Sequence, residues 1–124
     1  MAVVINQQKG EVMKYIKNME HEKILHLSEE ISAPEGQVVS KTLAQNAYVS
    51  ITLFAFSKGE EIGTHDSTGD AMVTILEGNG RFVVDGKEYN LSVGETLVMP
   101  ANKPHSVHAE EAFKMQLTVI FPNE

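Results

Sequence analysis

Apolar and polar residues alternate along most of this chain, and that period of two predicts strands. The clearest case is Ala47–Phe56: Ala47, Val49, Ile51, Leu53 and Ala55 fall on one face, and Tyr48, Ser50, Thr52, Phe54 and Phe56 on the other. Phe113–Phe121 repeats the pattern, with Phe113, Met115, Leu117, Val119 and Phe121 on one side. Shorter strands are predicted over Ile24–Leu27, Val38–Leu43, Ala71–Leu76, Arg81–Val84, Lys87–Leu91 and Thr96–Met99. Only one segment keeps helical spacing. Val12, Tyr15, Ile16 and Met19 predict a short amphipathic helix over about residues 7–20, which Gly10 weakens near its start.

Turn residues sit between these runs. Asp85-Gly86 separates two alternating segments by two residues, the strongest short-range hairpin signal, because both central residues take positive φ. Gln45-Asn46 predicts a second hairpin, and Ala33-Pro34-Glu35-Gly36, the residues 57–61 and Glu77-Gly78-Asn79-Gly80 read as turns or loops. Pro100 ends the strand before it. Eight or nine short strands at such spacing predict an all-β sandwich or barrel. The organisation read from this is an N-terminal appendage, 1–23, and a single barrel domain, 24–124. Ile51, Leu53, Val73, Ile75, Val98, Leu117 and Val119 are the predicted buried or cavity-lining positions.

Composition narrows the function classes. The chain has 124 residues, one domain's worth. Its formal charge of −7 argues against nucleic acid and anionic membrane surfaces, both of which select cationic residues. With no cysteine there is no disulfide, thiolate metal site or thiol nucleophile. No apolar run reaches membrane-spanning length, and the start lacks the pattern of a signal peptide, so the expected location is cytoplasmic.

Chemistry is concentrated around two of the five histidines. His65 follows Gly59 after five residues and precedes Gly78 by thirteen; Gly94, Pro100 and His105 form a second spaced set. In these residues the chain resembles the cupin superfamily in its small single-domain form, over about residues 36–121. The resemblance implies a double-stranded β-helix, or jelly-roll barrel, here with a short N-terminal helical appendage. It also implies a homodimer and a small-molecule pocket at the barrel mouth, with His65, Ser67 and His105 in the pocket wall.

The family's metal set is three histidines and a glutamate. Here the second histidine position holds Ser67, the glutamate position Ala71, and the motif's closing asparagine position Ala109. Asp70 lies one residue from the glutamate position, and a strand bulge could turn it inward. His65, His105 and Asp70 would then make a two-histidine, one-carboxylate set suited to one divalent metal such as Fe, Mn, Ni or Zn. His108, at an odd offset from His105, is a weaker candidate. Asp66-Ser67 beside His65 lacks the geometry of a nucleophilic triad. Three readings follow: a ligand-binding or sensing module, a metal-dependent enzyme on a small metabolite (oxidation, isomerisation or lyase chemistry), and an assembly protein without a ligand.

Overall fold

A computed structural model describes residues 14–123. Nine strands follow in chain order: β1 (Val38–Gln45), β2 (Val49–Phe56), β3 (Glu61–His65), β4 (Asp70–Glu77), β5 (Asn79–Val84), β6 (Lys87–Ser92), β7 (Thr96–Met99), β8 (His105–His108) and β9 (Phe113–Ile120). They form two antiparallel sheets, ordered β1-β2-β9-β4-β7 and β3-β8-β5-β6. Pairs β2–β9, β3–β8, β4–β7 and β5–β6 nest one inside the next. This is a jelly roll, the all-β architecture that alternation predicts.

The Asp85-Gly86 hairpin forms as its chemistry requires, with φ of 50° at Asp85 and 83° at Gly86. At the β1–β2 hairpin, Asn46 Oδ1 accepts the backbone N–H groups of Tyr48 (2.8 Å) and Val49 (3.0 Å). An Asn side chain that satisfies two loop amides in this way ends the reach of the strand, so β2 begins at Val49 rather than Ala47.

Between the sheets lies a core built on Phe56, Val73, Ile75, Phe82, Phe113 and Met115, each at most 1% exposed. The rings of Phe56 and Phe113 stack 4.6 Å apart, and Phe82 meets Phe113 edge-on at 6.2 Å. A Cβ on Gly80 would come within 2.8 Å of both Phe82 and Phe113, so the aromatic cluster needs a glycine there.

Four expectations are corrected. Residues 14–20 form no helix; the rest of that predicted helix, with Val12, lies outside the described residues. Tertiary bonds take over the backbone: Lys17 N–H donates to the Leu43 carbonyl (2.8 Å), Asn18 Nδ2 donates to Thr42 O (2.7 Å), and Asn18 sits at φ 64°. Ile24–Leu27 is not a strand; a 3₁₀ turn covers Leu27–Glu29. Strands β3 and β8 form where none was predicted. Val98 is 52% exposed, because β7 turns Leu97 and Met99 inward instead.

The segment before β1 lies on the outer face of the five-stranded sheet. Met19, Leu27, Ile31 and Ala33 pack over Leu43, Leu53 and Ala55. Lys114 Nζ donates to Ser28 O (2.7 Å), and Lys41 Nζ donates to Glu30 O (3.0 Å), fastening it down. Further along the same face, Met72, Val98 and Ile120 remain exposed.

Candidate functional site

Both histidines of the two spaced sets lie at one end of the barrel. His65 is the last residue of β3 and His105 the first of β8, and the two are direct cross-strand partners. Their rings meet edge-on with centroids 4.3 Å apart. A register irregularity between Ile62 and His65 lets both side chains, three residues apart, line the same cavity. The last residue of β7, Met99, and the second of β4, Ala71, sit in register at this same end.

The cavity measures about 120 Å³. Phe54, Ile62, Ala71, Met99, Val107, Met115, Leu117 and Val119 make its walls apolar, and among the described residues His65, Ser67 and His105 are its only polar side chains. Among the described residues, no lysine, arginine, aspartate or glutamate lines it.

Hydrogen bonds fix the histidines' chemistry. His65 Nδ1 lies 2.8 Å from Gly63 O, and His105 Nδ1 lies 3.0 Å from Lys103 O. A carbonyl only accepts, so each Nδ1 carries a proton, and in the neutral ring Nε2 keeps the lone pair. Burial holds the His105 imidazole below the ordinary histidine range. The Lys103 carbonyl and Asp66 pull it up, and His65 adds to the lowering. When neutral, the pair offers two Nε2 acceptors beside an apolar cavity, with His105 buried and His65 exposed. Ser67 Oγ accepts the Gly69 N–H at 3.1 Å, leaving its own proton free to donate.

The structure does not bring Asp70 to the pair. Alternation along β4 turns Ala71 and Val73 inward and leaves Asp70 exposed. Its carboxylate accepts the Ala101 N–H at 2.8 Å, and Asn102 N–H donates to Ser67 O at 2.7 Å. These two bonds tie the 66–69 loop to the loop after β7. A Cβ on Gly69 would collide with the Ile120 carbonyl, so the tied loop sits hard against β9. His108 also turns away: its Nε2 pairs with Ser106 Oγ at 2.8 Å, and its Nδ1 lies 3.7 Å from Glu61.

A divalent metal with the donor set that the sequence resemblance implies does not fit these residues. Among the described residues no three His, Cys, Asp or Glu side chains come together to hold an ion. Ala71 lines the cavity without a donor atom, and the carboxylate beside it is committed to Ala101. Met99, which the sequence reads as a strand residue of the core or pocket lining, is in the cavity wall. Its place before Pro100 at the end of β7 brings a thioether to the histidine end, and alternation from Leu97 was the available signal.

The family model described as "Cupin domain" matches residues 52–121. A crystal structure of a conserved protein of unknown function from Streptococcus pyogenes is 46% identical, with a TM-score of 0.86 over 90% of this chain and 98% of that one. A cupin superfamily protein from Desulfitobacterium hafniense is 34% identical, with a TM-score of 0.83 over 86% of this chain and 98% of the other. Salicylate 1,2-dioxygenase from Pseudoaminobacter salicylatoxidans shares the fold at 19% identity, TM-score 0.64, over 76% of this chain and 28% of its own. No curated protein sequence matches this chain.

Proposed function

This chain belongs to the cupin superfamily, and from that premise we propose that its barrel-mouth cavity binds one small uncharged molecule, as a ligand-binding or sensing module. The observation that carries this is the lining: apolar walls, two imidazoles, one hydroxyl and, among the described residues, no charged side chain. An anion would lose its hydration there without meeting a cation. A compact molecule with one O–H or N–H donor would place that donor on the two Nε2 lone pairs and its apolar body against Phe54, Met99 and Leu117. The volume of about 120 Å³ is well below the roughly 300–1,000 Å³ of sites for drug-sized ligands, so the guest is small.

One observation favours the second reading, a metal-dependent enzyme. Both Nδ1 atoms are held by backbone carbonyls, the arrangement that orients imidazole ligands toward a metal. The absent third donor weighs against it.

Nuclear magnetic resonance of the histidine ring signals tests the first reading, with phenol as a neutral donor probe and benzoate as its anionic counterpart. Phenol should shift His65 and His105 and leave His21 unmoved; benzoate at the same concentration should shift neither cavity histidine. Equal response to both probes, or to neither, overturns the proposal.

We also propose that the chain works as a cytoplasmic homodimer. Its lack of cysteine supports the location. The exposed apolar side chains of Met72, Val98 and Ile120 on the outer face support the pairing, since Met72 and Val98 are register partners. No helix among the described residues is long and apolar enough to cross a membrane.

A further inference from the structure

A second opening lies where the two sheets part. β6 and β7 follow each other in sequence but belong to different sheets, and each is an edge strand of its own. The seam between them holds a groove of about 230 Å³, nearly twice the volume of the histidine cavity. Val84, Tyr89, Leu97 and Pro100 give it an apolar wall, and the charged side chains of Asp85 and Lys103 line it as well. One strand serves both openings: of the two inward residues of β7, Met99 lines the histidine cavity and Leu97 the groove.

We propose that this groove binds a small apolar carboxylate, held by Lys103 and Lys87. Three observations carry it. Lys103 Nζ lies 3.6 Å from Asp85 Oδ2 and both side chains are more than half exposed, so this pair is weak and a second carboxylate can compete for the ammonium. Lys87 stands two residues before Tyr89 on the same face of β6, with its Nζ 5.2 Å from the centre of the Tyr89 ring, so a second cation accompanies the aromatic wall. Two lysines against one aspartate leave these three side chains with a net positive charge, in a chain whose formal charge is −7, and that local charge draws an anion. The apolar body of the guest displaces water from Tyr89 and Leu97.

Backbone bonds hold the charged end of the groove in place. Asp85 and Gly86 form the β5–β6 turn, and the Asp85 N–H donates to the Pro104 carbonyl at 2.8 Å, which fixes the turn against the loop that carries Lys103. The Lys103 N–H donates back to the Pro100 carbonyl at 3.3 Å. A guest therefore meets a preformed wall and orders little beyond itself and two lysine side chains. The volume is below the roughly 300–1,000 Å³ of sites for drug-sized ligands, so the guest is again small. The two openings select opposite chemistry: among the described residues the histidine cavity has no charged side chain, whereas the groove has cations beside an apolar wall. The inference goes beyond the histidine cavity and does not depend on that cavity having a guest.

Benzoate and benzylammonium carry the same ring with opposite charge. Each is titrated into the full-length protein at neutral pH while nuclear magnetic resonance follows the Val84 and Leu97 methyl signals and the Tyr89 ring. Benzoate should shift all three with a Kd of about 1 mM, as expected of a small ring joined to an exposed ion pair, and added salt should weaken it. Benzylammonium should bind more weakly. Lys103→Met keeps the backbone carbonyl that His105 uses and should weaken benzoate roughly two- to fivefold. Asp85→Asn keeps the turn, which Asn-Gly suits as well as Asp-Gly does, but removes the competing carboxylate, so benzoate should bind tighter by a similar factor. Effects of opposite sign in the two variants are what loss of folding cannot imitate. No benzoate shift at these three residues, benzylammonium binding as well as benzoate, or an unchanged affinity in either variant overturns the assignment. If benzoate also shifts His65 and His105, the reading of the histidine cavity falls, and the groove is still decided by the two variants.

Discussion

Replacing Asp70 with alanine separates two roles that the sequence leaves entangled, metal ligand and loop clamp. In the structure the carboxylate accepts the Ala101 N–H at 2.8 Å from an exposed position. A hydrogen bond to a charged group contributes about 1.5–3 kcal/mol when well shielded. Here water can reach the rim and re-solvate the freed N–H, so the expected loss falls to about 1 kcal/mol. For a domain of this size that lowers the melting temperature by roughly 4 °C. Asp70→Asn keeps an oxygen acceptor and should lose about half as much. The assay is thermal unfolding of metal-free protein by circular dichroism, at neutral pH and in the presence of chelator. Because the second tie, Asn102 N–H to Ser67 O, is unaffected, the rim should loosen rather than open. A metal-free Asp70→Ala protein that melts with the unmodified one would refute the clamp. Loss of metal affinity without loss of stability would return Asp70 to the ligand set.

Two further outcomes follow from the same geometry. Burial lowers the His105 pKa in the folded state below its unfolded value near ~6.5, so the unfolded chain takes up the proton first and stability is lost as pH falls through that value. Urea unfolding of His105→Gln between pH 7.5 and 5 should show a flatter decline than the unmodified protein, and identical slopes would contradict it. Met72→Glu puts a charge in the middle of the exposed outer face, beside Val98 and Thr118, and should convert a dimer to a monomer in light scattering without unfolding it; a variant that stays dimeric would move the interface elsewhere.

The legible parts of the fold were those fixed locally. Asp85-Gly86 and the long alternations of β2 and β9 depend on neighbours in sequence, and they read correctly. The short strands β3 and β8 carry too few residues, and too many polar ones, to show a period: Glu61–His65 has a single apolar side chain, and His105–His108 is held by its partners β3 and β5. Tyr15, Ile16 and Met19 keep helical spacing for a different reason. Met19 packs on the sheet, while Tyr15 is 78% exposed, so the spacing does not report a buried helical face. Val98 misled because a four-residue strand offers two phases, and only the tertiary fold selects Leu97 and Met99. At the site, spacing pointed to His65 and His105. The position of Asp70 followed from plain alternation, and the irregularity that does occur lies in β3, where it serves His65 instead.

The place of β9 in its sheet bears on how the protein is made. β9 lies between β2 and β4, and all its pairing is with strands made much earlier. Until residues 113–120 leave the ribosome, β2 and β4 have nothing to bridge them, and Phe56 lacks the ring it stacks on. The nascent chain therefore carries a split sheet with unpaired edges and an exposed aromatic surface until β9 is made. Closure is a long-range event with a loop-closure cost, which slows folding and leaves the window for wrong pairing open until β9 is made. Crowded expression should penalise this chain through that interval even when the finished barrel is stable, and cooling the cells, which slows synthesis and weakens apolar association, should recover more soluble protein.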